Sequence, residues 1–160
     1  MKRLFAILLV AGMFQNAAAL ERSTTVSPLV GRWSVDVSRL PMPPEARPKS
    51  VTITFGDAGN GKWTTQVEIT DAGGAKNHAE GTAPLDGTPT HVTGSLEADI
   101  TAVKMPTPNV LIMQLGKGGI PASTRIYAVA ADGKTMIETV AYFEKDGRPM
   151  LRTNYFTRVR

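Results

Sequence analysis

The sequence of 160 residues contains no cysteine and few aromatic residues, which make up 6% of the chain. The absence of cysteine excludes disulfides, thiolate metal sites and a cysteine nucleophile. The two histidines, His78 and His91, have no second histidine or carboxylate at the spacing of a metal motif, whereas catalytic zinc needs three protein ligands. The sequence therefore predicts no metal site and no cofactor.

Catalytic motifs are also absent from the sequence. There is no Gly-x-Ser-x-Gly elbow for a serine nucleophile. The glycine-rich stretches 56–61 and 116–119 precede neither a helix nor the Lys-Ser or Lys-Thr of a nucleotide loop, so we interpret them as hairpin turns. Acidic side chains at strand positions are expected to face solvent: Glu68, Glu80, Glu97, Asp99 and Glu138. No catalytic residues are predicted, and a barrel enzyme such as an isomerase or hydrolase is the least favoured function.

The single long apolar run lies at the N-terminus and is typical of an export signal. Lys2 and Arg3 precede an apolar run over 4–14, and the small residues 17–19 follow it. The run is shorter than the roughly 20 residues that span a bilayer. We therefore predict a signal peptide over 1–19, cleaved after Ala19, a flexible lead-in over 20–28, and a mature protein in the periplasm or outside the cell.

Charge argues against nucleic acid as a partner. The net charge of the full chain is +4, and removing Lys2 and Arg3 leaves +2. The arginines near the C-terminus are separated by apolar or hydroxyl residues, which is typical of the solvated face of a strand rather than of a basic track.

The remaining chain predicts one all-β domain over 29–160. It contains 15 glycines and 11 prolines, and no segment shows a sustained helical period. Alternating strands are predicted between turn signals about every 8 to 14 residues. The predicted strands cover 29–37, 50–55, 62–70, 76–84, 90–95, 96–104, 110–115, 123–130, 135–143 and 149–159.

Short connections favour a closed barrel over a sandwich. A sandwich usually needs long Greek-key links, and an open sheet of this many strands would expose two edges. The fold class predicted is a single antiparallel up-and-down β-barrel of about eight to ten strands. The proline-rich segment 40–48 is expected to lie across one end, because each proline removes a ladder donor.

Several segments resemble small exported bacterial lipocalin-like proteins of the calycin type, a largely uncharacterised group. Gly31-Arg32-Trp33 fits the Gly-x-Trp signature that opens the lipocalin barrel, and the resemblance extends over nearly all of the mature chain. Segments 47–51, 85–87, 91–94 and 131–136 also carry it. The resemblance implies that Trp33 plugs the closed end of the barrel with an arginine of the last strand over it, and Arg158, or alternatively Arg160, fits that role. Unlike classical lipocalins, the sequence is expected to form no helix after the last predicted strand, and it contains no cysteine for a disulfide.

The apolar residues indicate a candidate binding site inside the barrel. The leading hypothesis is a pocket for a small hydrophobic or amphipathic ligand, oriented by polar groups such as Tyr127, Tyr155 or Gln114. The alternative is a barrel filled with side chains, which would act as a non-catalytic module that contacts another envelope protein through its exterior. The candidate interior residues are Phe55, Trp63, Ile69, Leu111, Met113, Tyr127, Phe143 and Tyr155, and further inward positions are predicted at Val51, Ile53, Val67, Ile126, Ile137 and Leu151.

Overall fold

The computed structural model describes residues 26–160, which form an antiparallel β meander. The predicted signal peptide and most of the lead-in, residues 1–25, lie outside the described residues. Within 26–160 the strands are β1 Gly31–Val35, β2 Ser50–Gly59, β3 Lys62–Thr70, β4 Lys76–Pro84, β5 Thr90–His91, β6 Ile100–Thr107, β7 Val110–Lys117, β8 Ile120–Val129, β9 Thr135–Phe143 and β10 Pro149–Arg158. Short 3-10 helices cover Val37–Arg39 and Pro44–Ala46.

The strands follow one another around a nearly closed barrel, which confirms the predicted antiparallel up-and-down architecture. The order in the sheet is β4-β3-β2-β1-β10-β9-β8-β7-β6-β5, so the first strand pairs with both the second and the last. Each strand is antiparallel to its neighbours in this sheet. The first–last pairing leaves only β4 and β5 as free edges.

A short seam brings these two edges together. The backbones of Glu80 in β4 and Thr93 exchange two hydrogen bonds of 3.0 Å. Gly94 allows this approach, because a Cβ atom there would lie 2.1 Å from the carbonyl oxygen of His78. The seam thus joins the two edge strands at one point, where an open sheet would leave both exposed.

The chain between β5 and β6 is less regular than the sequence predicts. The predicted strands over 90–95 and 96–104 are observed only as Thr90–His91 and Ile100–Thr107. The Ser95 hydroxyl accepts hydrogen bonds from the backbone N–H groups of Glu97 and Ala98, both at 3.1 Å. Such a side chain competes with the strand ladder for backbone groups, so this segment forms a turn instead of a strand.

The two ends of the barrel differ in how they are covered. At the lower end, where β1 begins and β10 ends, Trp33 is fully buried. At the upper end, the proline-rich segment between β1 and β2 lies across the opening and places Leu40, Met42 and Pro48 beside an internal cavity. The helices within 26–160 are all too short and polar to cross a membrane.

Candidate ligand-binding cavity

The lower end is closed by the Trp33 and Arg158 side chains. The Arg158 guanidinium carbon lies 4.2 Å from the centre of the Trp33 ring, and the indole Nε1 donates a hydrogen bond to the Leu29 carbonyl at 2.8 Å. Arg158 also donates to the carbonyls of Gly133 and Val30, both at 2.8 Å. Gly31 has a φ of +129°, and a Cβ there would lie 2.5 Å from Arg158 Nη1. The structure therefore brings together all three residues of the lipocalin-like signature: Gly31, Trp33 and Arg158.

Above this plug the barrel encloses a cavity of about 320 Å³. Its walls are mainly apolar, because the inward positions of successive strands carry aliphatic and aromatic side chains. The apolar lining includes Val35, Val51, Ile53, Trp63, Val67, Ile69, Ala79, Val103, Met113, Leu115 and Phe156. The volume lies at the lower end of the range of about 300 to 1,000 Å³ that is typical of small-molecule pockets.

A buried polar network lies on the β8–β10 wall of this cavity. Glu138 is only 2% exposed, and its two carboxylate oxygens accept hydrogen bonds from Arg125 Nη1 at 3.1 Å and from Asn154 Nδ2 at 2.6 Å. Tyr127, which is opposite Glu138 in the β8–β9 register, is also buried. Buried charges of this kind are tolerated when they are paired and hydrogen-bonded, as these are.

A second carboxylate reaches Arg125 from the connection between β5 and β6. Arg125 Nη2 forms an ion pair with Glu97, whose side chain is 61% exposed while that of Arg125 is 17% exposed. Glu97 and its neighbour Leu96 both border the cavity at its upper end. Arg125 is therefore held between a buried carboxylate and an exposed one.

The protonation of the network follows from this arrangement. Burial, reinforced by the charge of Glu138, raises the pKa of the Tyr127 phenol well above its usual value. Burial alone would lower the pKa of Arg125, but its electrostatic interactions with the Tyr127 phenol and with the carboxylates of Glu138 and Glu97 raise it instead. Tyr127 is therefore a neutral hydroxyl and Arg125 a permanent cation at neutral pH.

Arg152 places a second guanidinium on the same wall. Arg152 in β10 and Arg125 in β8 both lie opposite Val140 of β9, so the three residues form one row across the interior. Within the described chain, Arg152 forms no ion pair, and its guanidinium carbon lies 5.9 Å from the Tyr142 ring centre.

Five buried polar atoms on the cavity wall have no hydrogen-bond partner among residues 26–160. Three are donors, one is a carbonyl acceptor and one is a hydroxyl oxygen. They are Trp63 Nε1, Arg125 Nε, Arg152 Nε, Asn154 Oδ1 and Thr101 Oγ1. Buried polar groups in proteins are nearly always satisfied, so these atoms mark a polar region packed within the wall rather than open cavity surface.

The interior residues predicted from the sequence divide into three groups. Trp63, Ile69, Met113 and Tyr127 line the cavity. Phe55 and Leu111 are buried in the core below it, with the Phe55 ring in edge contact with Tyr127 at 5.1 Å between centroids. The third group, Phe143 and Tyr155, does not reach the interior.

The prediction was wrong for Phe143 and Tyr155 because these residues occupy outward positions of β9 and β10. Phe143 is 72% exposed, and the Tyr155 ring lies outside the barrel with the Arg39 guanidinium 3.3 Å from its centre. The same inversion places Ile126, Ile137 and Leu151 on the outer surface. A shift of one residue in a strand moves every side chain to the opposite face, which accounts for the errors in β9 and β10. In β8 only Ile126 was misplaced, because Tyr127 lies inside as predicted.

The functional residues that sequence reasoning missed lie on the inward face of β8, β9 and β10, next in sequence to the outward residues just named. Glu138 was expected to face solvent, and Arg152 was counted among the C-terminal arginines of a solvated strand face. Arg125 and Asn154 were not singled out. The available signal was the pattern itself. Arg125-x-Tyr127 and Arg152-x-Asn154 each place two polar residues on one face of a strand, and Glu138 is at an equivalent position of the strand between them. Gln114 lies on the outer face, where its Oε1 accepts a hydrogen bond from Thr124 at 2.6 Å.

The histidines lie away from this cavity wall. His78 Nε2 is 3.5 Å from Glu80 on the outer face, and His91 is exposed in β5. In residues 26–160 no three metal-ligating side chains come together.

The fold defined by these features is an up-and-down, lipocalin-like β-barrel, and the solved structures that it resembles share this fold. The chain is similar to the wild-type fluorescent protein UnaG, with a TM-score of 0.57, 13% sequence identity, and coverage of 84% of this chain and 100% of that chain. Two point mutants of UnaG give TM-scores of 0.56 and 0.57, also at 13% identity, and coverage of 84% and 85% of this chain and 99% of theirs. No protein-family model and no curated protein sequence matches the chain.

Proposed function

We propose that this protein is an exported binding protein that holds a small, largely apolar molecule inside its barrel. The observation that carries the proposal is the cavity of about 320 Å³, which has apolar walls and a few converging polar groups. This combination is typical of small-molecule sites, where apolar walls provide affinity and a few polar groups fix orientation.

The neighbouring connections fit this use of the cavity. Leu40 and Met42 from the β1–β2 segment and Leu96 from the β5–β6 turn border the upper opening. Leu96 is 77% exposed although it is a large apolar residue. Apolar side chains around an opening shield an apolar ligand from water, because burying apolar surface is favourable by about 25 cal/mol per Å².

Export is part of the proposal and rests on the N-terminal sequence and on the resemblance to exported bacterial proteins. Lys2 and Arg3, the apolar run over 4–14 and the small residues 17–19 have the order of a secretory signal peptide. A binding protein in the periplasm or the medium would carry its ligand outside the cytoplasm.

We propose binding rather than catalysis as the activity. The alternative of an envelope-interaction module relied on a filled interior, and the cavity volume favours ligand binding over that alternative. The polar network offers no arrangement of nucleophile and base, because Arg125 pairs with both Glu138 and Glu97 and the Tyr127 phenol stays protonated.

Filling the cavity with an indole tests the proposal. Val67 points into the cavity from the middle of β3, between Ile53 of β2 and Ala79 of β4 in register. We expect Val67→Trp to raise the Kd for phenylnaphthylamine, a neutral fluorescent probe of apolar cavities, by about tenfold or more, because it occupies ligand volume.

The matched control is Gln66→Trp, which adds the same indole to the outer face of the same strand. Probe fluorescence is titrated against the wild type and both variants after their melting temperatures have been compared. Equal Kd values for Val67→Trp and the wild type would show that the probe binds elsewhere, and the proposed site would be wrong.

A further inference from the structure

The cavity contains a balanced set of charges, which bears on the class of ligand if the protein binds one as proposed above. Two guanidinium groups, Arg125 and Arg152, and two carboxylates, Glu138 and Glu97, border it. Glu80 also borders the cavity, but its carboxylate lies on the outer face beside His78. The charges of these four side chains sum to zero, so no charged ligand is needed to balance them.

Arg125 is the natural anion-binding group of this wall, and Glu97 already occupies it. Arginine binds carboxylates through its fork of N–H donors, and here one terminal nitrogen pairs with Glu138 and the other with Glu97. An anion that approached Arg125 would have to displace Glu97 or add a third negative charge beside the pair. Both alternatives disfavour an anion at Arg125.

The turn that carries Glu97 is held in place on both sides. Lys117 Nζ donates a hydrogen bond to the Ser95 carbonyl at 3.2 Å, and the Gly118 N–H donates to Asp99 at 2.8 Å. Ala98 is buried beneath the turn. The Glu97 carboxylate is thus positioned by its own segment, in addition to its ion pair with Arg125.

Polar side chains among the residues that line the cavity bear on what else a ligand would offer. Trp63 and Arg152 carry N–H donors, and the side chains of Asn154 and Thr101 carry acceptors as well as donors. We propose that Glu97 is a specificity-determining residue that fills the anion position at Arg125, so that the barrel selects uncharged ligands with an apolar body and both donor and acceptor groups.

A matched pair of fluorescent probes tests this inference. Phenylnaphthylamine is uncharged and carries an N–H donor, and anilinonaphthalene sulfonate has the same ring system with one added anionic group. We expect the wild type to bind the neutral probe at least about tenfold more tightly. In Glu97→Gln the affinity for the sulfonate should rise about tenfold relative to the affinity for the neutral probe, since the anion position at Arg125 becomes free.

The control is Glu144→Gln, which removes the same charge from the exposed β9–β10 turn and should leave the ratio unchanged. A wild type that prefers the sulfonate, or a ratio that Glu97→Gln does not change, would overturn the inference while leaving ligand binding intact. If neither probe binds the wild type, the proposed function itself fails and this inference fails with it. A Glu144→Gln shift equal to that of Glu97→Gln would show a general charge effect and would also overturn the inference.

Discussion

Replacing Trp33 with alanine should lower the free energy of unfolding by about 3 to 5 kcal/mol, as expected for removal of a buried aromatic side chain. Trp33 is fully buried, its Nε1 donates to the Leu29 carbonyl, and the Arg158 guanidinium lies over its ring. The substitution would remove the plug of the lower end together with a cation–π contact worth about 0.5 to 2 kcal/mol. Denaturant unfolding followed by circular dichroism measures the loss.

The same variant separates a structural role from a binding role. Trp33 does not border the cavity, so the fraction of Trp33→Ala that stays folded should bind phenylnaphthylamine with the wild-type Kd. Trp33→Phe is the control, because it retains a ring under Arg158 and should lose less stability. Unchanged stability with selective loss of probe binding would contradict the account, since Trp33 would then face the ligand and the barrel would be open at the other end.

Replacing Arg125 with methionine should lower the free energy of unfolding by about 3 to 5 kcal/mol, because removing one partner of a buried ion pair leaves the other charge uncompensated. Methionine retains much of the apolar stem of arginine. Glu138 would keep its hydrogen bond from Asn154 but would lose its cation within a wall that leaves it 2% exposed. Urea unfolding at neutral pH measures the difference.

The double variant Arg125→Met/Glu138→Gln tests the cause of that loss. Glutamine keeps an acceptor for Asn154 and removes the buried charge, so the double variant should be more stable than Arg125→Met alone. Replacing Glu97 with glutamine should lower the free energy of unfolding much less. Glu97 is largely exposed, and ion pairs of this kind contribute about 0 to 1 kcal/mol. A double variant no more stable than the single one would show that packing, not charge, makes Arg125 important.

The order of the strands, and the exact bounds of three of them, follow from the sequence because turn residues and alternation are local signals. The predicted strands at 62–70, 76–84 and 135–143 have the observed bounds of β3, β4 and β9. The turn at 95–98 was missed because it depends on the Ser95 hydroxyl, whose effect on the backbone is not visible in an apolar–polar pattern.

The faces of β8 to β10 were harder to predict because both sides of these strands carry apolar residues. In β9, Ile137 and Phe143 alternate with Met136, Glu138 and Val140. Hydrophobicity alone therefore does not show which of the two sets faces the interior. A glutamate in such a strand is expected outside, and the partners that stabilise Glu138 inside, Arg125 and Asn154, belong to other strands. This side-chain pairing between strands is not a local signal.

The outer face of the same strands lacks the charged side chains that their inner face carries. The outer positions of β8, β9 and β10 carry no charged side chain between Thr124 and Ala128, Thr135 and Phe143, or Leu151 and Thr157. Ile126, Ile137 and Leu151 are exposed there. These residues therefore provide reporters of binding to the outside of the barrel.

Methyl chemical shifts in the presence of phenylnaphthylamine are the most direct test of a ligand inside the barrel. Ile53, Val67 and Met113 report on the cavity, while Ile126, Ile137 and Leu151 report on the outer face. We expect saturable shifts at the three cavity residues, caused by ring currents of the bound probe, and none at the three outer residues. Shifts confined to the outer residues would contradict the central claim that this barrel holds its ligand inside.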